Sequence, residues 1–257
     1  MPKTQEVPGE LRAFNEVFEA AARYERHATV YADFVRYAVE CFNVARTPGA
    51  LKAEMVKRYA ERYELFPQMF AALVQAQQEG LKRAEWYDAL GTYYELINSA
   101  GHAQHMGQFF TPPELCNLSA RINGPANPEA EVSRGLRVND PACGSGRQLM
   151  AFNAVCPGNY LYGEDLDPLC AQMAVVNFCL HGMSGQVSRM DTLKIEWYWG
   201  WECSPLACRP IEREQSYTWR MWHTAQGEPR PITPAPAEPT PKPPATPQAG
   251  TQLRLFT

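Results

Sequence analysis

The chain has 257 residues, of which 45% are apolar, and this supports one globular unit with a sizeable core and room for tails. Its formal net charge of -4 excludes a global positive field, so any contact with a nucleic-acid backbone must come from a local patch. No run of apolar residues reaches the ~18 of a membrane span, and the polar start lacks the apolar core of a secretory signal, so we expect a cytoplasmic protein.

The eight cysteines are spread along the chain without a pairing rhythm, which predicts buried free thiols rather than disulfides. Cys203, Cys208 and His223 are too poorly spaced to predict a zinc site. We therefore expect no bound metal.

The first hundred residues carry a helical pattern. Apolar residues recur at intervals of three and four from Leu11 to about Ala100, which predicts four or five amphipathic helices. The pattern is interrupted at Thr47–Gly49, at Pro67 and at Gly80. A helical region over residues 1–100 is expected to pack against the remainder of the chain.

The segment Gly107–Glu114 has the features of a helix start. Thr111 is predicted to be the N-cap, prolines suit the first turn, and Glu114 follows three residues later as in a capping box. The free backbone amides of such a helix start can bind an anion.

The period changes after residue 134, and strands alternate with helices. This order predicts a parallel sheet with crossover helices. The predicted elements are a strand at Leu136–Val138, a helix through Leu149 and Val155, a strand at Tyr160–Tyr162, a helix from Pro168 to Leu180 and a strand at Gln186–Met190. A fourth strand is hard to find, because residues 194–223 are rich in Trp and Tyr but lack a clear period.

A glycine-rich turn and an acidic residue follow the first two predicted strands. Gly144 and Gly146 allow the backbone to approach a ligand closely, and Asp165 at the end of the second strand can accept ribose hydroxyls. Asp140 stands before the glycines, where a carboxylate would repel a pyrophosphate but could pair with the ammonium of a methionine moiety. This favours S-adenosylmethionine over NAD as the ligand.

Four segments resemble motifs of the modification subunits of type I restriction systems, which are N6-adenine DNA methyltransferases. They are Gly107–Pro112 (Gly-Gln-Phe-Phe-Thr-Pro), Asp140–Gly146 (Asp-Pro-Ala-Cys-Gly-Ser-Gly), Asn177–Gly182 (Asn-Phe-Cys-Leu-His-Gly) and Asp191–Leu193 (Asp-Thr-Leu). The resemblance covers about residues 80–195. It implies an α/β fold, namely an abbreviated Rossmann-like core of a class I S-adenosylmethionine-dependent methyltransferase with an N-terminal helical region. It also implies methyl transfer to adenine N6 in DNA.

The same resemblance implies a set of cofactor-binding residues. They are Phe109, Thr111, Pro112, Asp140, Ala142, Gly144, Gly146, Asp165, Leu166 and Asp191. The first three would line the methionine end of the cofactor, and Asp140 and Gly144 would hold its amino acid part. Asp165 would bind the ribose, Leu166 would flank the adenine, and Asp191 would face the amino edge of that adenine.

A purely structural interpretation is open for three of these positions. Thr111 could only cap a helix, Gly146 could only permit close helix packing, and Asp191 could only end a strand. The occurrence of four motifs in the order of the family favours the functional interpretation for the set as a whole.

One motif of the amino-methylating enzymes is absent from this sequence. Those enzymes carry Asn/Asp-Pro-Pro-Tyr/Phe after the fourth strand, where oxygens accept hydrogen bonds from the target amine and the ring stacks on the flipped base. The candidates for a substitute are Glu196, Trp197, Tyr198 and Trp199, because aromatic faces stack on exposed bases. These groups suit a single-stranded or extruded adenine and little sequence specificity. The alternative is a catalytically inactive protein that binds S-adenosylmethionine and regulates DNA modification or counters restriction, and RNA or protein methylation stays open as a third possibility.

The C-terminal part is rich in proline and ends in an apolar tip. Residues 226–250 are predicted to be a disordered linker, since proline cannot complete helix or sheet hydrogen bonding. Residues 251–257 resemble the Gln-Leu-x-Leu-Phe peptide that docks on the bacterial DNA sliding clamp, through Gln252, Leu253, Leu255 and Phe256. The predicted methyltransferase core therefore spans residues 101–225, with DNA and the clamp as expected partners.

Overall fold

Helices occupy the N-terminal part of the chain in the computed structural model, which describes residues 7–47, 49–99, 110–126 and 133–227. The α-helices within the described part of residues 7–99 are α1 (Arg12–Ala21), α2 (His27–Phe42), α3 (Ala50–Tyr59), α4 (Leu65–Leu81) and α5 (Ala89–Ser99). The expected helical pattern is therefore confirmed over these ranges. Among the described residues, no helix has the length and apolar character needed to cross a membrane.

The expected interruptions at Pro67 and Gly80 are wrong, because both residues lie inside α4. Pro67 is in the first helical turn, where the missing amide has no partner within the helix to lose. Gly80 is needed for packing, since a Cβ placed on it would lie 2.2 Å from ring atoms of Tyr87. The interruption at residues 47–49 does separate α2 from α3.

The remaining elements alternate between helix and strand as far as the third strand, as the sequence predicted. They are α6 (Pro113–Asn123), β1 (Arg137–Asp140), α7 (Arg147–Val155), β2 (Tyr160–Asp165), α8 (Pro168–Leu180), β3 (Ser184–Asp191), β4 (Glu196–Ser204), β5 (Ala207–Ile211) and α9 (Tyr217–Gly227). The five strands form one sheet in the order β1-β2-β3-β4-β5. Strands β1, β2 and β3 are parallel, which confirms the α/β fold class and the abbreviated sheet.

Strands β4 and β5 form an antiparallel hairpin on the edge of β3, which the sequence did not predict. The register shifts between Arg189 and Met190, so that Trp199 pairs with Arg189 while Trp197 pairs with Met190. The extra residue, Tyr198, forms a bulge that reverses the inside–outside alternation of the strand. Trp197 and Trp199 therefore lie on opposite faces, and this is why the aromatic segment shows no clear period.

A continuous hydrophobic core joins the helical region to the sheet. Phe14 and Phe18 of α1 belong to the same cluster as Met173 and Phe178 of α8. At the junction, the hydroxyl of the buried Tyr31 in α2 donates a hydrogen bond to Sδ of Met173 in α8, 3.4 Å away. The helical region is thus packed directly against the helix that connects β2 to β3.

Candidate cofactor site

Acidic side chains gather at the carboxyl ends of the three parallel strands. Asp140 ends β1, Asp165 ends β2 and Asp191 ends β3. The carboxyl ends of parallel strands lie at the same edge of a sheet, so the three carboxylates share that edge. Glu196, the first residue of β4, pairs with Asp191 and adds a fourth carboxylate there.

Two backbone amides of the turn after β1 donate hydrogen bonds to residues at the end of β2. The amide of Cys143 donates to the carbonyl oxygen of Glu164, and the amide of Gly144 donates to Oδ2 of Asp165, both at 2.8 Å. Gly144 has a φ of +55° and Gly146 a φ of +91°, conformations that glycine adopts without steric cost. Gly146 is buried at the N-cap of α7, where an added Cβ would lie 3.6 Å from Cβ of Ala174 on α8, an ordinary contact, so its positive φ and not close helix packing is what favours glycine here.

The carboxylates of Asp140 and Asp165 are in an environment that favours a cationic ligand. Burial raises the pKa of Asp140, although a hydrogen bond from the amide of Ala142 partly offsets it and the charge of Asp165 adds to it. Burial likewise raises the pKa of Asp165, against hydrogen bonds from the amides of Asp167 and Gly144. Within the described ranges neither carboxylate forms an ion pair, so a bound ammonium or sulfonium would supply the positive charge that both lack.

Phe110 and Thr111 form one wall of the cavity that contains Asp140 and Asp165. A cavity of about 180 Å³ is lined by Phe110, Thr111, Asp140, Ala142, Cys143, Gly144, Ser145, Arg147, Gln148, Asp165 and Cys170. A Cβ on Gly144 would lie 2.9 Å from Cδ1 of Phe110, so the bare glycine backbone is what lets the ring approach. The glycine cradle and the two carboxylates together fit a positively charged nucleoside of the predicted kind.

The predicted capping role of Thr111 is wrong. Helix α6 begins at Pro113, with Pro112 at the N-cap and no side-chain cap hydrogen bond. The helix starts one residue later than expected because Pro113, with its fixed φ, occupies the first helical position. Thr111 instead lines the cavity, whereas Pro112 does not, and Phe109 lies outside the described residues.

Leu166 and Asp191 are not among the residues that line the cavity. Leu166 is 53% exposed, and its carbonyl oxygen accepts a hydrogen bond from Nε of Arg189 at 3.2 Å. Asp191 accepts a hydrogen bond from the amide of Lys194 and forms an ion pair with its side chain, and it is the last residue of β3, as in the structural interpretation that it ends a strand. The hydroxyl of Thr192 donates to the carbonyl oxygen of Pro141 at 3.1 Å, so the end of β3 contacts the glycine turn.

The four aromatic and acidic candidates of β4 divide into two pairs. The indole Nε1 of Trp197 donates to Oγ of Ser188, and Trp199 packs against the hydrophobic core. Glu196 and Tyr198 are exposed, and the hydroxyl of Tyr198 donates to the Glu196 carboxylate at 3.1 Å. Of the four, these two therefore have side chains open to solvent beside Asp191.

Sequence reasoning missed several buried polar residues behind the glycine turn. They are Asp88, Arg147, Glu164 and Asn177, all less than 9% exposed. Asn177 lies in a motif that the resemblance identified, and Arg147 directly follows the glycine motif, so both had a local signal. Asp88 had none, because its partners are remote in sequence.

The cysteines and the three weak zinc candidates lie in places where packing, and not metal binding, accounts for them. All eight cysteines are free, and all but Cys41 are buried. Cys203 and Cys208 face each other across β4 and β5, while His223 stacks on Trp219 in α9. In the described part of the chain, no group of three or more His, Cys, Asp or Glu side chains is arranged to hold a metal ion.

Comparisons with known proteins agree with the motifs. Residues 85–201 match the model of the N-6 DNA Methylase family. The chain is 29% identical over 134 residues to the type I restriction enzyme MjaVII methylase subunit of Methanocaldococcus jannaschii, covering 48% of this chain and 22% of that protein. It is 34% identical over 103 residues to the MjaVIII methylase subunit of the same organism, covering 38% and 17%. The chain thus spans about a fifth of the length of these relatives.

A solved structure is also similar. It is the crystal structure of the type I restriction-modification system methyltransferase subunit from Streptococcus thermophilus, with 15% identity and a TM-score of 0.34 over 70% of this chain and 57% of that one. The family match concerns sequence and includes both the glycine turn and the ends of the three parallel strands. S-adenosylmethionine is the methyl donor of this family, which confirms the predicted cofactor. Residues 85–201 are therefore similar to the N-6 DNA Methylase family, and the predicted resemblance to type I modification subunits is confirmed.

Proposed function

We propose that this chain binds S-adenosylmethionine between Asp140, Gly144 and Asp165 and transfers its methyl group to N6 of adenine in DNA. The observation that supports the proposal most strongly is the convergence of two carboxylates, neither with an ion-pair partner in the described part of the chain, on one glycine backbone. A cation fits this place, and the cofactor supplies one in its sulfonium and a second in its ammonium group.

Each residue of the site has a proposed task. Asp140 would pair with the ammonium group, and Asp165 would accept the ribose hydroxyls with the lone pairs that its two backbone contacts leave free. Phe110 and Thr111 would cover the methionine end, while Ala142 and Gly144 allow close approach. Phe109, Pro112, Leu166 and Asp191 complete the proposed set.

The transfer step depends on positioning more than on a strong base. The cofactor would supply a methyl group whose bond to sulfur breaks as its bond to the adenine N6 forms, which leaves S-adenosylhomocysteine and releases one proton of the amine. Acceptors for the amine hydrogens and a platform for the adenine ring are therefore the main requirements. Glu196 is the proposed acceptor and Tyr198 the proposed platform, with Trp197 and Trp199 behind them. Both exposed groups suit a single-stranded or extruded adenine, and we propose low sequence specificity.

We also propose that the C-terminal peptide docks on the DNA sliding clamp through Gln252, Leu253, Leu255 and Phe256. These residues lie outside the described part of the chain, and the proposal rests on the likeness of the peptide. A tethered peptide would raise the local concentration of the enzyme at replicating DNA in the cytoplasm. Fluorescence anisotropy of the labelled full chain with purified clamp should show binding that the Leu255→Ala/Phe256→Ala variant lacks, and equal binding by both proteins would overturn this part.

The reaction is tested by incubation with tritiated S-adenosylmethionine and either duplex or single-stranded DNA, followed by nucleoside analysis. Label on N6-methyladenine supports the proposal, and more label from the single strand supports the preference for an accessible base. Cofactor binding without label on any DNA would support the alternative, a catalytically inactive regulatory or anti-restriction protein. The absence of the Asn/Asp-Pro-Pro-Tyr/Phe motif is the observation that favours that alternative.

A further inference from the structure

Asp88 connects the helical region to the glycine turn. It precedes α5, is 2% exposed, and accepts hydrogen bonds from groups in three different parts of the chain. These donors are the amide of Gly91 (2.8 Å), Oγ of Ser145 (2.6 Å), Nε of Arg147 (2.8 Å) and Nδ2 of Asn177 (2.9 Å). One carboxylate therefore holds α5, the glycine turn with the start of α7, and α8 together.

Arg147 extends this connection to the other wall of the cavity. Its guanidinium forms a second ion pair with Glu95 of α5 at 2.8 Å, and it lies 5.0 Å from the centroid of the Phe110 ring. Another of its nitrogens is 3.5 Å from the carbonyl oxygen of Thr111. The side chain that Asp88 orients thus supports both of the described residues that cover the proposed cofactor.

Gly91 makes the close approach of α5 possible. A Cβ at this position would lie 2.0 Å from Oδ2 of Asp88 and 2.8 Å from Oγ of Ser145. A side chain of any other residue type at position 91 would therefore displace the Asp88 carboxylate or the Ser145 hydroxyl.

We propose that Asp88 is a positioning residue of the cofactor site, which acts through Ser145 and Arg147 to set the glycine turn and the Phe110–Thr111 segment in their binding geometry. This inference rests on the proposed function, because it assumes that the cavity binds the cofactor. A merely structural ion pair would stabilise the fold without favouring the ligand, so affinity has to be separated from stability.

The chain offers a matched control in Asp33. It is a second buried aspartate of the helical region, 6% exposed, and it bonds to the hydroxyl of Tyr59 and to Arg58. It does not line the cavity. Asp88→Asn and Asp33→Asn each remove the charge of a buried, paired carboxylate, so both are expected to lower the melting temperature.

The test is calorimetry of S-adenosylhomocysteine, the demethylated product, with the full-length wild type and each variant. Asp88→Asn is expected to raise the dissociation constant about tenfold or more, since it weakens charge-assisted bonds, while Asp33→Asn leaves it within about twofold. Ser145→Ala, a milder change that keeps the Asp88–Arg147 pair, should weaken binding in the same direction and covers the case in which Asp88→Asn does not fold.

The outcomes are distinct. A folded Asp88→Asn or Ser145→Ala protein with wild-type affinity overturns the positioning role and leaves the proposed function standing. Equal loss of affinity in Asp88→Asn and Asp33→Asn also overturns it, because the effect would then follow from general destabilisation. A wild type that does not bind the product overturns the proposed cofactor site and this inference with it.

Discussion

The amide of Gly144 donates a hydrogen bond to Oδ2 of Asp165 at 2.8 Å, which holds the turn after β1 against the end of β2. The other oxygen of this carboxylate accepts from the amide of Asp167, also at 2.8 Å. Each of the two oxygens has a second lone pair, so Asp165 can hold the turn and still accept hydrogen bonds from a ligand. The shape of the proposed site and its affinity for a sugar thus depend on the same side chain.

Replacing Asp165 with alanine is expected to raise the dissociation constant of S-adenosylhomocysteine by about tenfold or more, because charge-assisted hydrogen bonds to the ligand are lost. Asp140→Ala should act in the same direction through loss of its ammonium partner. Isothermal titration calorimetry measures both. Glu202→Ala removes a carboxylate on β4 away from the cavity and should leave the constant unchanged. Wild-type affinity in both aspartate variants would contradict the proposed site.

Comparing Gly144→Ala with Gly135→Ala separates the effect of backbone strain from the effect of a steric contact with Phe110. Gly135 also has a positive φ, +72°, but an added Cβ there meets nothing within 4 Å, so Gly135→Ala is the control. Both variants are expected to lose about 1–3 kcal/mol of unfolding free energy from the left-handed conformation. Only Gly144→Ala pushes on Phe110 and should also weaken ligand binding. Urea denaturation and calorimetry report the two quantities, and equal affinities for the two variants would count against the role of Gly144.

Tyr198→Ala is expected to weaken the binding of DNA without changing the binding of the cofactor product. Stacking of a base on an aromatic ring contributes about 1–3 kcal/mol, so binding of single-stranded DNA should weaken by roughly tenfold to a hundredfold. The affinity for S-adenosylhomocysteine should not change. Tyr160→Ala is the matched control, because Tyr160 is also exposed, at 53%, but begins β2 at the opposite edge of the sheet. The same loss of DNA affinity in both variants would remove Tyr198 from the proposed substrate surface.

Glu164 should make stability depend on pH. Burial raises its pKa to about 7 from an ordinary value of 4.5, although hydrogen bonds with Thr218 and Asn139 act against this. Between these two values the folded protein holds a proton that the unfolded chain has released, so stability falls as pH rises from about 4.5 to about 7. The loss amounts to about 3 kcal/mol at most.

Urea denaturation of the wild type and of Glu164→Gln at pH 5 and pH 8 checks this sign. The variant cannot titrate at this position, so the difference in unfolding free energy between the two pH values should be smaller than in the wild type. Comparing the two proteins cancels the contributions of Asp140 and Asp165, whose pKa values burial also raises. An identical pH dependence in both proteins would show that Glu164 does not titrate in this range.

The order of the central elements and the positions of the acidic residues follow from local patterns in the sequence. Glycine at positions 144 and 146 marks a turn that other residues cannot adopt without strain, and the strand–helix–strand pattern around it brings Asp140 and Asp165 to one edge of a parallel sheet. These features are local, since each depends on residues close together in the chain. The turn, the order of the strands and the shared edge of Asp140 and Asp165 could therefore be predicted from the sequence, as could the family resemblance.

Two other features arise from contacts between segments that are distant in the chain. The bulge at Tyr198 exists because β4 pairs with β3, and it turns Trp197 and Trp199 to opposite faces where a regular strand would place them on one. Asp88 meets Ser145 and Asn177 because α5 packs beside the glycine turn, where Gly91 leaves room for it. Neither neighbour is close in sequence, and no local pattern encodes a hydrogen bond between side chains that folding alone brings together.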